Sequence, residues 1–458
     1  MSSKANLMTE GSIYKQIVRF AVPIFFGNLF QQLYNMVDSL VVGNFVGPDS
    51  LAAISSTGSL IFLLVGLFTG IFSGAGVVIS RYFGAGETKK VQDSIHTAVA
   101  FGIISGIVMT ILGTWLAPQI LKLMGTPPEV FDKAVTYVRI YFSGILTVVM
   151  YNTANGIFQA MGNSKSPLYY LITSSIINVI LDLLFVVVFK MGIAGAAIAT
   201  VIAQGTSVCL AFYNLTHTND IHRVSFKKIK IHKDLLKEIL SMGVPSGVQN
   251  SVIALANIVV QSSINAFGAT AVAGCGSYSK IEGFVFIPVT SFAMSMTTFI
   301  GQNLGAKKYD RAKKGTYFGI ATSMILAESI GILFFIGAPV LIALFTHDSS
   351  VVSYGVRQAR TIAPFYFLLA FSHCIAGIMR GAGKSKVPMI VMLVCWCVIR
   401  VSYITVATRI IPDIQVIFWA YPLTWTLSSI IFLIYYLKSK WLYGFNDKTE
   451  VSEVSLDS

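Results

Sequence analysis

The strongest constraint on this chain is the recurrence, along its whole length, of apolar runs long enough to cross about 30 Å of hydrocarbon. One of them contains SLIFLLVGLFTGIFSGAGVV without a single charged side chain. Short turns separate these runs, so the chain is expected to be polytopic. Composition agrees: over 458 residues 55% are apolar, only 12% are Asp, Glu, Lys or Arg, and mean hydropathy is +0.73. An ordinary soluble domain carries about 25% charged residues. The formal charge of +13 is spread over short loops, which argues for membrane topology and against nucleic acid as a partner.

Twelve spans are expected, near 16–41, 54–79, 93–116, 136–158, 168–189, 192–214, 240–266, 278–300, 316–337, 358–379, 388–410 and 415–437. An even number puts both termini on one side. Of the 33 basic residues, 24 then fall on that side: Lys4, Lys15 and Arg19; Arg81, Lys89 and Lys90; Lys165; the six from Arg223 to Lys237; the five from Lys307 to Lys314; Arg380, Lys384 and Lys386; and Lys438, Lys440 and Lys448. The positive-inside rule makes this side the cytoplasm of a cell inner membrane. The first run follows charged residues with no small-residue cleavage site behind it, so it reads as a retained helix. Residues 215–239, with RVSFKKIKIHKDLLKEIL extending from Arg223, read as a basic cytoplasmic linker between a lobe over 1–214 and a lobe over 240–458.

The halves resemble each other. RYFGAGETKK at 81–90 matches QNLGAKKYDR at 302–311, and AMGNSKSP at 160–167 matches GAGKSKVP at 381–388, both with an offset of 221 residues. FAVP at 20–23 faces MGVP at 242–245, offset by 222. Three matches in register indicate an internal repeat. With six spans per half, both halves enter the membrane from the same side. This predicts an all-α fold of two six-helix lobes related by a pseudo-twofold axis along the membrane normal, an arrangement found in alternating-access transporters.

Polar residues inside the spans mark the candidate site. In GNLFQQLYNMVDSLVVG, Asn28, Gln31, Gln32, Asn35 and Asp38 recur every three or four residues and form one helical stripe. Amides can serve simply to join membrane helices. Asp38 demands more, because an ionised carboxylate deep in a bilayer costs several kcal/mol, about 2.5–3.5 on insertion scales. Span five adds Asn178 and Asp182, four residues apart on one face. Were spans one and five neighbours, Asp38 and Asp182 would share a cavity with Asn35 and Asn178. Two carboxylates in low dielectric resist simultaneous ionisation, which suits one to exchanging a proton. The same oxygens could instead hold Na⁺ at Asp38, Asn178 and Asp182. Asn152, Asn155, Gln159 and Gln204 could extend this network.

Span seven offers Gln249, Asn257 and other amides but no acid; Glu282 begins span eight, Glu328 lies in span nine, and Arg400 lies within CWCVIRVSYITV. Arg400 needs a partner or a wet cavity, and Glu282 is a partner by charge. Tyr34, Met36, Met294 and aromatic neighbours could offer soft surface to a flat cation, although such residues also fill ordinary membrane cores. Cys209, Cys275, Cys374, Cys395 and Cys397 form no metal or disulfide pattern. GAGKSK at 381–386 lacks the spacing of a phosphate-binding loop and reads as a turn. No enzyme constellation and no cofactor site are evident, leaving an ion gradient of H⁺ or Na⁺ as the energy source.

Across residues 11–440 the chain resembles the multidrug and toxic compound extrusion (MATE) transporters. The resemblance rests on Pro23 to Asp38 followed by VGNFVG, RYFGAGETKK, QAMGNSKSP, Asn178 with Asp182, GQNLGAKK and MRGAGKSKVP. It implies twelve helices in two lobes, and export of organic, often aromatic, cations in exchange for H⁺ or Na⁺. The family's acid in span one falls on Asp38, and its span-five pair on Asn178 and Asp182. Span seven carries only amides, as in the DinF-like branch. A monomer in the lipid bilayer, taking small-molecule substrates, is expected. The alternatives are an exporter of one endogenous metabolite or lipid-linked precursor, and a noncatalytic membrane receptor or scaffold.

Overall fold

The computed structural model describes residues 7–46, 48–346 and 348–443. All regular structure among these residues is helical. In chain order the α-helices are α1 (Ile13–Phe45), α2 (Pro48–Gly84), α3 (Thr88–Leu123), α4 (Pro128–Ser143), α5 (Ile145–Ala160), α6 (Lys165–Asp182), α7 (Gly192–His217), α8 (Lys233–Asn265), α9 (Ala269–Gly305) and α10 (Tyr309–Ala343). They continue with α11 (Ser349–Ile362), α12 (Tyr366–Gly381), α13 (Lys386–Met392), α14 (Arg400–Ile410) and α15 (Gln415–Lys438). Ten described stretches are long and apolar enough to cross a membrane, and the pair α4 and α5, bent by 47°, makes as many as eleven.

The solvent these helices expect is written on α3. Its outer face carries Ile104, Ile107, Val108, Ile111 and Trp115, all exposed, at helical spacing. Its inner face carries Gly102, Gly106 and Gly113, all buried. A Cβ on Gly113 would overlap the Phe142 ring. Large apolar side chains outside and glycine inside reverse the pattern of a soluble helix and fit a lipid-facing surface.

The described residues pack as two units: residue 7 with those of 22–247, and residues 8–21 with those of 248–443. The core of the first unit gathers Phe72 and Ile79 of α2, Ile95 and Val99 of α3, and Ile157 of α5, with Val224 and Ile239 closing it. Here α2 and α8 cross at backbone contact. Gly70 and Gly74 face Gly247 and Gly243, and a Cβ on any of the four would strike the other helix's backbone. These are two small-xxx-small stripes meeting each other. In the second unit α9 is the central helix, buried almost continuously from Val285 to Leu304. Ser295 of α9 donates to the Ile17 carbonyl of α1 at 3.0 Å.

The repeated loop motifs clamp the leading segment of a helix in each unit. In the second, Gln302 Oε1 accepts from Met8 N–H at 2.7 Å, and Lys308 Nζ donates to the Thr9 carbonyl at 3.0 Å. Arg311 donates to the carbonyls of Met8, Glu10 and Gly11. In the first, Tyr82 donates to Glu238 at 2.9 Å, His96 Nε2 accepts from Ser225 N–H at 3.0 Å, and His232 N–H donates to Thr97 at 3.2 Å. The matched stretches 81–90 and 302–311 therefore help hold the start of α8 and the chain ahead of α1.

Two breaks interrupt spans that read as continuous. α4 and α5 part at Gly144, and α11 and α12 are joined by a 3₁₀ turn at Ala363–Phe365. Pro364 drives the second break, since it has no N–H and its ring excludes a preceding carbonyl. The N–H of Phe367 is satisfied from outside, by Glu328 Oε2 of α10 at 3.1 Å. That answers why α10 carries an acid.

Candidate functional site

In the first unit the polar focus is the end of α6. Asn178 and Asp182 are both buried, at 1% and 0% exposure. With its amide turned to satisfy both neighbours, Asn178 donates to Asp182 Oδ2 at 2.8 Å and accepts from Thr200 N–H of α7 at 3.3 Å. The chain winds into a π-helix over Leu183–Val188 directly after Asp182. A π turn widens the helix and leaves a carbonyl without its ordinary partner, a feature frequent at functional sites.

α1 lies alongside. Gly27 is within ordinary contact of Leu168 and Leu171 of α6. Further along, Val41 and Val42 pack with Val186 and with Ala196 of α7, Val37 against them. The turn bearing position 38 therefore runs beside the π segment. The side chain of Asp38 lies outside the described residues, whereas Asn35 and Met36 are exposed on α1 and Tyr34 is half-buried. Asn152 accepts from Thr69 of α2 at 3.1 Å, and Gln159 donates to Asn155 at 2.9 Å one turn away. Gln204 sits half-buried on α7.

The second unit holds a cavity of about 270 Å³. Asn257 of α8, Glu282 and Phe286 of α9, and Arg400 of α14 line it, joined by Trp396 and Tyr421. Arg400 is 2% exposed. Its Nε and Nη2 donate to Thr424 Oγ1 at 3.2 and 2.9 Å, and its guanidinium lies 5.3 Å from the Trp396 ring centre and 4.6 Å from that of Tyr421. Glu282 accepts instead from Tyr278 OH at 2.9 Å, itself 2.7 Å from Tyr366 OH. The expected charge partners thus face one cavity but are each held by other groups. Gln249 is buried with its amide on Met392 Sδ, and Met294 is half-buried on α9; neither lines this cavity.

Sequence reasoning missed Thr424, Tyr421, Trp425 and Gln358, which come from α11 and α15. Only Trp396, four residues before Arg400, carried a local signal. Among the described residues no group of three or more His, Cys, Asp or Glu could hold a metal ion.

A helical membrane protein with buried carboxylate and amide groups and a charged aromatic cavity has the makings of a transporter, and the sequence profile that matches it is MatE, over residues 23–184 and again over 245–406. The chain belongs to that family and is a secondary active multidrug efflux transporter, not an enzyme. It is 28% identical over 436 residues to the probable multidrug resistance protein YoeA of Bacillus subtilis, covering 93% of this chain and 94% of that one. With YpnP of the same organism, another probable multidrug resistance protein, it shares 27% over 402 residues, 87% of this chain and 89% of the other. A solved multidrug resistance MATE transporter in an outward-facing conformation superposes with a TM-score of 0.89 at 22% identity, over 96% of this chain and 98% of that one.

Proposed function

We propose that the protein exports organic, mainly aromatic, cations in exchange for H⁺ or Na⁺, with Asp38, Asn35, Asn178 and Asp182 as the coupling group. The observation that carries this reading is the fully buried Asn178 and Asp182 pair at the start of a π segment, packed beside the turn of α1 that bears position 38. A buried acid in a membrane helix marks a functional site by default unless a structural partner accounts for it, as the Phe367 N–H does for Glu328. Tyr34, Met36, Asn152, Asn155, Gln159 and Gln204 in the first half, and Gln249, Asn257, Glu282, Met294 and Arg400 in the second, are proposed to line the substrate path.

The 33-residue α1 supplies a twelfth span beside the ten long stretches and the bent pair. The doubled profile match supports two six-span lobes, 1–214 and 240–458, as a parallel repeat about the membrane normal, joined by the linker 215–239. Both termini are placed in the cytoplasm of a cell inner membrane by the basic loops, and the transporter works as a monomer of the DinF-like type. Span seven's lack of an acid supports that assignment.

Efflux from proteoliposomes holding the purified protein, with H⁺ and Na⁺ gradients imposed separately, tests this. One gradient should drive export of a cationic dye, and Asp38→Asn should abolish it. Coupled export by Asp38→Asn at the wild-type rate would remove Asp38 from the coupling role. If Asp182→Asn keeps coupling and changes which compounds move, Asp182 contacts substrate.

A further inference from the structure

A buried guanidinium in a membrane protein requires compensation, and a carboxylate is the usual source. Arg400 is 2% exposed and forms no ion pair with any described residue; it rests on one hydroxyl and two ring faces. Cation and ring contacts of this kind offset only part of the cost of desolvating the ion. Glu282 on the same wall is engaged by Tyr278.

Two further atoms point the same way. Gln358 Oε1 and Trp425 Nε1 are buried without a hydrogen-bond partner, and both residues line this cavity. One is an acceptor and the other a donor, so the cavity wall shows a cation and an acid that make no direct ion pair, an orphan acceptor and an orphan donor. Native proteins leave few such atoms unsatisfied.

We propose that this cavity binds a compact zwitterion, an organic molecule carrying a carboxylate and an ammonium on a flat apolar frame. The carboxylate meets Arg400 and the Trp425 N–H; the ammonium meets Glu282 and Gln358 Oε1; the frame lies against Trp396 and Phe286. At about 270 Å³ the site falls just below the roughly 300–1,000 Å³ of drug-sized pockets, which selects small ligands. The inference rests on the efflux reading only for the claim that the ligand is cargo; binding stands independently.

The test is equilibrium binding to the full chain in nanodiscs, read by quenching of tryptophan fluorescence, with three probes of one skeleton: L-phenylalanine, 2-phenylethylamine and 3-phenylpropionate. The zwitterion should bind about tenfold or more tightly than either singly charged probe, the scale of one charge-assisted contact. Arg400→Gln should erase the preference for phenylalanine over phenylethylamine, and Glu282→Gln the preference over phenylpropionate. Comparable affinity for all three probes, phenylethylamine binding as well as phenylalanine, or no binding at all overturns the proposal. The wild-type comparison decides the matter even if a variant fails to fold. Discrimination lost while gradient-driven dye export persists sinks the zwitterion site alone; discrimination kept without export sinks the transport reading.

Discussion

Glu328 and Asp182 are both carboxylates within membrane helices, and their surroundings set them to different tasks. Glu328 takes the Phe367 N–H that the break at Pro364 leaves over, so its oxygen matters and its charge does not. Glu328→Gln, which keeps the acceptor, should leave thermal stability in detergent nearly unchanged. Glu328→Ala should cost about 1–3 kcal/mol, the penalty of an unsatisfied buried donor, read as a lowered Tm with gradient-driven export retained by the folded fraction. Asp182 accepts instead from an amide on its own helix. The sequence marked both acids as anomalies by the cost of charge in a bilayer, but it could not tell them apart. That distinction depends on a backbone break nearly forty residues from Glu328. Asn178 with Asp182 was legible because helical spacing alone puts residues four apart on one face. The surroundings of Arg400 were not, because Thr424 reaches it from another helix, α15, and Gln358 of α11 and Trp425 of α15 line its cavity.

Among the elements, the crossing of α2 and α8 is the tightest constraint. Gly243→Leu should prevent α8 from seating against Ile71 and leave little folded protein in membranes, whereas Gly58, with nothing within 4 Å of its Cβ position, should accept Ala freely. Comparing yields of monodisperse protein by size-exclusion chromatography separates the two. The linker titrates. His222 is buried edge-on to Phe158, and burial holds its pKa below the usual 6.5 although Asp220 pulls the other way. The folded linker therefore favours the neutral ring: its docking is fully stable above about pH 6.5 and weakens as pH falls below it. Amide exchange over 218–232, corrected for its intrinsic rate, should quicken between about pH 8 and pH 5, and His222→Phe should remove the dependence. Hydropathy located the spans well because lipid filters for apolar length. It missed the bend at Gly144 and the π segments over Leu183–Val188 and Leu393–Ile399, since an apolar run reads the same whatever its hydrogen-bond register.

At the scale of the molecule, residues 8–21 pack with the second unit and 225–247 with the first, so each leading segment is held by the half to which it does not belong in sequence. Of the matched stretches, 81–90 contributes Tyr82 and 302–311 contributes Gln302, Lys308 and Arg311 to the clamps. Expressed alone, residues 1–220 or 221–458 should fail to accumulate as folded protein, while co-expression of the two fragments should restore dye export. Export by either fragment alone would show that the exchanged segments are dispensable. A consequence follows for biogenesis. The α8 segment meets clamps that were synthesised long before it, but Met8 must wait for Gln302, 294 residues downstream. At about 5–20 residues per second of translation the delay is roughly 15–60 s. Throughout that interval the start of the nascent chain is unclasped, so the earliest segment of this transporter waits on a clamp made two-thirds of the way along the chain.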